Sequence, residues 1–566
     1  MKSLYFLPIL FLLTACGPEL PPLTEEGAKH IRLNQVGYYP GTVARIFLTA
    51  RPEKLKGNLV DAAGEAIISE LIIEDSLNWD LAGETVWPLN LEIPSEAGSY
   101  RLYVPGVGYS YEFNVAEDVL HPVFLSSVKA LYYQRSSINL PEQYAGKWQR
   151  EMGHPDTAVL YHPSTGITGG KLSSPKGWYD AGDFGKYVVN GSFSLGQMLA
   201  LYEDIGDPAP DGSLQIPESG NGRSDFLDEL AWEFDWLVTM QDRDGGLFHK
   251  LTTKKFDAMV MPDKGFADRY AIGKGTAATL DFAAVTAQAA RIYTGKDEAY
   301  GANLLNLSKL AWSWAKQYPA VPFTNPYDVS TGEYGDKNFD AEWYWAAAEL
   351  YLSTGEQQYK EYLEQHPPRR FSAKGGWVDY MEMLGVMSLL RNPGNVPATI
   401  YNPLKAASIR LADSLTMASV ITPYNQALTD FNWGSNSDVL NAAMSVAAAY
   451  QLEPKQEYLD MVRSSVDYIL GKNAVGVSFV TGTGDRSPMH IHHRQSAADE
   501  IKDPVPSLLS GGPNSRQQDK EFATYPEGVA PMQSWVDQEG SYASNEICLN
   551  WNAPLTYVLG WLEARE

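Results

Sequence analysis

Two periods of hydrophobic spacing divide the chain. Between about residue 28 and residue 116, apolar and polar side chains alternate in short runs, at 44–49, 86–93, 99–104 and 109–115. Turn residues such as Glu96-Ala97-Gly98 and Pro105-Gly106-Val107-Gly108 separate these runs. Alternation puts every second side chain on one face of a strand, so residues 28–116 predict a small β-sandwich. From residue 117 the apolar spacing lengthens to three or four, the period of a helix packed on one side. About a dozen segments fit that spacing, among them 122–135, 186–203, 224–241, 276–293, 304–316, 340–353, 375–390, 405–419, 437–451, 455–470 and 553–563. Ser224 or Asp225 can cap the third, and Gly355 and Gly471 follow the ends of two others. Paired by short loops, such helices could close into a ring of six hairpins, an (α/α)6 barrel spanning 117–566, or stack as an open solenoid. No strict repeat favours the solenoid. Long glycine- and aromatic-rich connections, above all 473–545, would gather on one face and carry function.

The first residues follow neither period. Lys2 precedes an apolar run from Leu4 to Leu13, which suits a secretory signal and falls short of the ~20 residues of a membrane span. It ends in Leu13-Thr14-Ala15-Cys16. This resembles a bacterial lipoprotein signal, with residues 1–15 removed and Cys16 becoming the lipidated N-terminus. Ordinary signal cleavage beside an incidental cysteine is the alternative. Residues 16–27, rich in Pro and Glu, have the composition of an extended tether. The expectation is an exported, membrane-anchored protein at the outer membrane, the cell surface or in the periplasm.

Composition narrows the partners. Lys and Arg number 44 against 69 Asp and Glu, a formal charge of −25, which excludes nucleic acid and anionic polymers and leaves neutral ligands. Aromatic residues make up 12% of the chain, with 15 Trp and 33 Tyr; flat rings of that kind stack on the apolar faces of sugars. The only other cysteine, Cys548, has no partner once Cys16 is lipidated, so the fold owes nothing to disulfides. A monomer is expected.

Candidate chemistry concentrates in three stretches. In Gly177-Trp178-Tyr179-Asp180-Ala181-Gly182-Asp183-Phe184 two acids are separated only by small residues. The backbone can turn sharply there, and both carboxyls can address one water. They also suit a helix start, where acids cap free N–H groups. In Pro488-Met489-His490-Ile491-His492-His493-Arg494 three histidines suggest a metal, but no ligand spacing supports zinc. His492 and Arg494 could instead hydrogen-bond sugar hydroxyls. Glu546, between Asn545 and the apolar Ile547 and Cys548, is a lone acid whose burial would keep it protonated, as a general acid requires; a helix cap or a paired structural acid is the alternative.

Together, Asp180-Ala181-Gly182-Asp183, His492-His493-Arg494 after Phe479-Val480-Thr481-Gly482, and Asn545-Glu546 before Asn552-Ala553-Pro554 resemble the signatures of family-nine glycoside hydrolases, the inverting cellulases. Leu33-Asn34-Gln35-Val36-Gly37-Tyr38 is similar to the start of the immunoglobulin-like domain that precedes the barrel in one branch of that family. The resemblance implies hydrolysis of β-1,4-glucosidic bonds in cellulose, cello-oligosaccharides or related glucans. Asp183 would be general base, Asp180 its aid in holding the water, and Glu546 the general acid. It further implies sugar contacts from His492, Arg494, Trp433, Tyr542 and His249, with Trp343 or Trp345 as further cleft residues. No cofactor is required, and a structural calcium ion is compatible. Exo-acting members, and a surface protein that binds glycans without cleaving them, remain as alternatives.

Overall fold

The computed structural model of the chain describes residues 20–369, 371 and 377–565. The expected signal and Cys16 lie outside the described residues, as do 375 and 376 of the helix expected over 375–390.

Ten strands form the N-terminal domain: β1 Ile31–Arg32, β2 Gly37–Tyr38, β3 Val43–Leu48, β4 Lys56–Asp61, β5 Ile67–Ile72, β6 Leu77–Trp79, β7 Glu84–Glu92, β8 Gly98–Val104, β9 Gly108–Tyr109 and β10 Phe113–Val115. One sheet has the order β1-β3-β7-β6 and the other β2-β10-β8-β4-β5, with β9 on β8. Their inner faces bring Ile46, Leu48, Leu89, Leu91, Leu102, Val104 and Phe113 into one core, as the alternation requires.

Among the described residues twelve helices of nine residues or more follow: α1 His121–Gln134, α2 Val188–Ile205, α3 Asp225–Thr239, α4 Thr276–Tyr293, α5 Glu298–Gln317, α6 Asp340–Thr354, α7 Gln357–Gln365, α8 Trp377–Arg391, α9 Ala398–Ile421, α10 Ser435–Leu452, α11 Gln456–Ile469 and α12 Leu549–Glu563. The even-numbered helices form an inner ring, each packed on the next, and α12 returns to pack on α2. That last contact makes the assembly a closed (α/α)6 barrel and removes the open solenoid. The odd-numbered helices lie outside.

The two rings differ in composition for a physical reason. An inner helix is surrounded on every side, so it must be apolar or small all round. Nearly all of α4 is buried, with Ala277, Ala278, Ala283, Ala284, Ala287, Ala289 and Ala290 letting its neighbours approach closely. In α2, a Cβ on Gly196 would stand 2.5 Å from the ring of Trp345 in α6, so that contact demands glycine. An outer helix needs only one apolar face: α11 buries Tyr458, Leu459, Met461, Val462, Ser465, Val466 and Ile469.

Element boundaries moved where local chemistry competes with periodicity. Lys186 and Tyr187, expected to open a helix, pair instead with Leu251 and Lys250, and α2 begins at Val188. They join a small sheet at the barrel mouth with Leu160–Tyr161, Phe248–Thr252 and Tyr270–Lys274. α5 starts earlier than its apolar pattern, where the Asp297 side chain accepts the Tyr300 N–H at 3.0 Å. α7 buries only Tyr359 and Leu363, too few apolar positions to show a period. α9 and α12 run through Pro403 and Pro554.

The sandwich rests on the barrel through a mixed interface. The Gln35 N–H donates to Leu470 O at 3.0 Å, Asn34 Nδ2 to Asp467 at 3.0 Å, and Tyr39 Oη to Glu563 at 2.6 Å. Phe47 and Trp79 meet the ring of Tyr424 at 5.3 and 5.0 Å. Among the described residues no helix is long and apolar enough to cross a membrane.

Candidate active site

The paired acids lie on a turn that only glycine permits. A Cβ on Gly182 would sit 1.9 Å from the carbonyl oxygen of His492 and 3.3 Å from Glu546 Oε1. This close approach brings three distant segments together. Arg494 N–H donates to Gly182 O at 3.0 Å, Leu549 N–H to Asp180 O at 2.8 Å and His492 N–H to Asn545 O at 2.9 Å. Bridges pair Ala181 with Cys548 and His492 with Glu546. The turn is also held from behind. Asp156 pairs with Lys186 at 2.8 Å and Arg269 at 2.9 Å, while Arg269 Nη1 donates to Phe184 O at 2.7 Å. Burial alone would raise the Asp156 carboxyl; the two cations outweigh it and hold it below the usual range.

The carboxyl groups face different surroundings. Asp180 is buried; its Oδ1 accepts Asn190 Nδ2 at 2.8 Å, and its Oδ2 accepts Tyr334 Oη at 2.7 Å and the Cys548 thiol at 3.8 Å. Burial, then the neighbouring Asp183, pushes Asp180 up to about 7, against these three donors. Asp183 lines the cleft, and the Gly185 N–H donates to its Oδ2 at 2.8 Å. Glu546 lines the same cleft. Burial first and the Asp183 charge second raise it well above the usual carboxylate range, with Arg494 opposing. One cleft therefore holds a carboxyl poised to give a proton together with the Asp183 carboxyl, while Asp180 lies buried in the same turn.

The remaining wall is aromatic. The cleft, about 1040 Å³, is lined by Trp433, Tyr542, Phe522, Phe256 and Trp551 among others. Tyr542 stands 5.3 Å from Trp433 and 6.2 Å from Phe522, centroid to centroid. Trp433, Phe256 and Phe522 are exposed, and such rings offer stacking faces to a sugar.

The histidines separate by role. His492 donates from Nδ1 to Glu539 O at 2.7 Å, and burial lowers its basicity, so Nε2 is an acceptor nitrogen in the cleft. Arg494 also lines the cleft, donating from Nη1 to Gly182 O and from Nε to Asp257 O, both at 2.9 Å. His493 turns away to Gln134 and Ser496, and His490 is exposed. Diverging in this way, they form no metal site: among the described residues no group of three or more His, Cys, Asp or Glu side chains could hold an ion.

Three expected cleft residues lie elsewhere. His249 is fully buried, stacked on Phe323 at 3.7 Å, and its Nε2 donates to Glu333 O at 2.8 Å; it supports the 332–334 wall from behind. Trp345 is core, with its indole N–H on Glu349 at 3.2 Å, and Trp343 packs against Trp312 and Tyr362. Conversely, sequence reasoning passed over Tyr334, Tyr187 and Cys548, all in the cleft wall. Tyr334 has φ of 45°, a left-handed conformation that costs a non-glycine residue about 1–2 kcal/mol. The sequence signal for it was a tyrosine between Gly332 and Gly335.

Comparison with known proteins is consistent across methods. The model described as Glycosyl hydrolase family 9 matches residues 121–559, and that described as Cellulase N-terminal ig-like domain matches residues 26–109. A xyloglucan-specific endo-β-1,4-glucanase of Bacteroides ovatus is 37% identical, over 98% of this chain and 96% of its own. Endoglucanase D of Acetivibrio thermocellus is 33% identical, over 94% of this chain and 82% of its own. Among solved structures, that of Bacteroides ovatus GH9 superposes with a TM-score of 0.86 at 36% identity, covering 95% of this chain and 99% of that one. A thermostable endoglucanase from Alicyclobacillus acidocaldarius, solved as a single mutant, gives 0.85 at 28% identity, covering 94% and 99%.

The burial of Glu546 has a direct spectroscopic consequence. At pH 7 isotope-edited infrared spectra should contain a protonated, buried carboxylic C=O band that disappears in Glu546→Gln. A spectrum holding only carboxylate bands, unchanged by that substitution, would contradict the electrostatics described.

Proposed function

Because the chain belongs to glycosyl hydrolase family 9, we propose that it cleaves β-1,4-glucan by a single inverting displacement with Asp183 as general base and Glu546 as general acid. It is a glycoside hydrolase of the endo-β-1,4-glucanase type. The observation that carries the residue assignment is the sharing of one cleft by Asp183 and a Glu546 whose proton is retained by burial.

In this reading Glu546 gives its proton to the glycosidic oxygen as the C–O bond breaks. Asp183 takes a proton from a water that attacks the anomeric carbon from the opposite face. Asp180, fixed by Asn190 and Tyr334, orients that water. His492 and Arg494 hydrogen-bond sugar hydroxyls, and Trp433 and Tyr542 stack on the rings. No cofactor takes part.

The substrate is a linear β-1,4-glucan or cello-oligosaccharide. A branched β-1,4-glucan such as xyloglucan is the second reading, favoured by the named specificity of the Bacteroides ovatus relative. Initial rates and product profiles over time on cello-oligosaccharides, carboxymethylcellulose, xyloglucan, mixed-linkage glucan and chitosan oligomers separate these, and separate endo from exo action. We further propose that Cys16 is the lipidated N-terminus. Cys16→Ala should move the protein from the membrane to a soluble fraction, and unchanged partition would count against the anchor.

Asp183→Asn and Glu546→Gln should each lower turnover by roughly 10²-fold or more on unactivated glucan. On an aryl glycoside with a good leaving group Glu546→Gln should recover much of the loss, while Asp183→Asn stays impaired. Equal losses on both substrates would remove the acid role of Glu546.

Stereochemistry tests the water route. A base acting through water requires carboxyl groups roughly 6.5–9.5 Å apart and one displacement. The first-formed reducing end should be the α-anomer, seen by proton NMR before mutarotation. An initial β-anomer, or a glycosyl ester trapped on Asp180 or Asp183, would overturn the mechanism.

A further inference from the structure

We infer that Lys250 is a positioning residue for the hydrolytic reaction, tying down the 325–334 strap so that the Tyr334 hydroxyl is delivered to Asp180. The inference rests on the reading of Asp180 and Asp183 as the base side of the cleft.

The strap is held within itself by Asn325, whose N–H donates to Glu333 Oε2 at 2.9 Å and whose Nδ2 donates to Thr331 O at 2.7 Å, and at its middle by Lys254 on Asp328 at 2.7 Å. It contains no helix or strand, and Tyr334 at its end is in the left-handed region at φ 45°. A strained residue keeps its conformation only where surroundings fix it. Lys250 adds the fixation nearest Tyr334. Its Nζ donates to Asn325 Oδ1 at 2.6 Å, Gly332 O at 2.7 Å and Thr331 Oγ1 at 3.1 Å, so the three protons of the ammonium are matched to three acceptors of one strap. Adjacent contacts extend the grip: Thr252 Oγ1 lies 3.0 Å from Thr331 Oγ1, and His249 donates to Glu333 O. The Tyr334 ring then meets the edge of Tyr187 at 4.8 Å, and its hydroxyl reaches Asp180.

A buried ammonium is an expensive way to hold a loop, and its retention here calls for a reason. Burial pulls Lys250 down to about 7, opposed by Asp183 and Glu333. The titratable groups that face it are Asp183 and Tyr187 from the acid turn and its flank, Glu333 from the strap, and His249 from its own strand. A methionine would fill the space without a charge to desolvate, but it would remove three hydrogen bonds from the strap. Lys250 also faces Asp183 directly; its second link to chemistry runs through the strap, since a free strap withdraws a donor from the ionised form of Asp180, and only this link disappears when Tyr334 is replaced.

The test is a double-mutant cycle read on the pH profile. Lys250→Met should lower kcat about 10–10²-fold with KM changed less than about threefold, because reach is lost and not sugar contact. Lys250→Met and Tyr334→Phe should each move the acid limb of kcat/KM to higher pH, since the second removes, and the first loosens, the Tyr334 bond that favours the Asp180 carboxylate. In the Tyr334→Phe background Lys250→Met should add little, and Lys250→Arg should restore part of kcat. An unmoved limb, or losses that multiply, would overturn the inference. If Lys250→Met does not fold, Asn325→Ala removes one acceptor and should give a smaller shift of the same sign; an unmoved limb there would equally overturn it. Asp183→Asn run in parallel separates the two levels. If it keeps turnover, the assignment of the base side fails. If it is crippled while the Lys250 variants leave the limb in place, only the role of Lys250 falls.

Discussion

Everything in the site depends on how closely one backbone can approach another at Gly182. The carbonyl of His492 occupies the volume that any side chain at residue 182 would need. That contact fixes the acid turn against the histidine stretch, and the histidine stretch against Asn545-Glu546. Three segments remote in sequence thus become one surface without a shared strand or helix. The barrel supplies the rigid frame: α2 leaves directly from the acid turn and α12 from the Glu546 stretch, and these are the two helices whose contact closes the inner ring. Ring closure and site assembly are the same event seen at two scales.

Around that contact the protein spends its buried charges asymmetrically. Behind the acid turn, Asp156 with Lys186 and Arg269 is a compensated cluster in which every charge has an opposite neighbour. Toward the cleft, Asp180 and Glu546 are raised by burial and by the Asp183 charge, with Arg494 opposing at Glu546 and neutral donors at Asp180. The first arrangement makes a rigid backing; the second leaves proton affinities raised. Buried ion pairs gain little net stability, so the compensated cluster is best understood as the scaffold for the uncompensated one.

How much of this was legible in the sequence follows from what each feature needs. The alternating and helical periods are local, and they gave the sandwich and the helices; the closed ring in place of an open stack rests on the contact of α12 with α2. Asp180, Asp183 and Glu546 stood out because their neighbours are small or apolar, an anomaly visible without coordinates. Lys250 and Tyr334 had no such mark: a lysine between His249 and Leu251, and a tyrosine in a polar loop, acquire meaning only when a strand at the mouth meets a strap some eighty residues later. His249 misled for the converse reason. Its neighbours resembled those of a site residue, but its side chain faces the back of the wall. α7 escaped because its two buried positions cannot define a period, and the small mouth sheet because its strands are two to five residues long.

The seat of the sandwich on the barrel sets an order in time. The sandwich is made first, yet what it grips comes late in the chain: Asp467 and Leu470 at the end of α11, Met532 against Leu81, and Glu563 at the end of α12. Domains tend to fold as they emerge during synthesis, so the sandwich is complete while its docking surface does not yet exist. Its Phe47 and Trp79 must wait for Tyr424, and its Tyr39 for Glu563. The ring is therefore sealed against a surface already in place, and a nascent chain stalled before α12 would carry an unclosed barrel with its inner faces uncovered, the kind of species that quality-control machinery recognises.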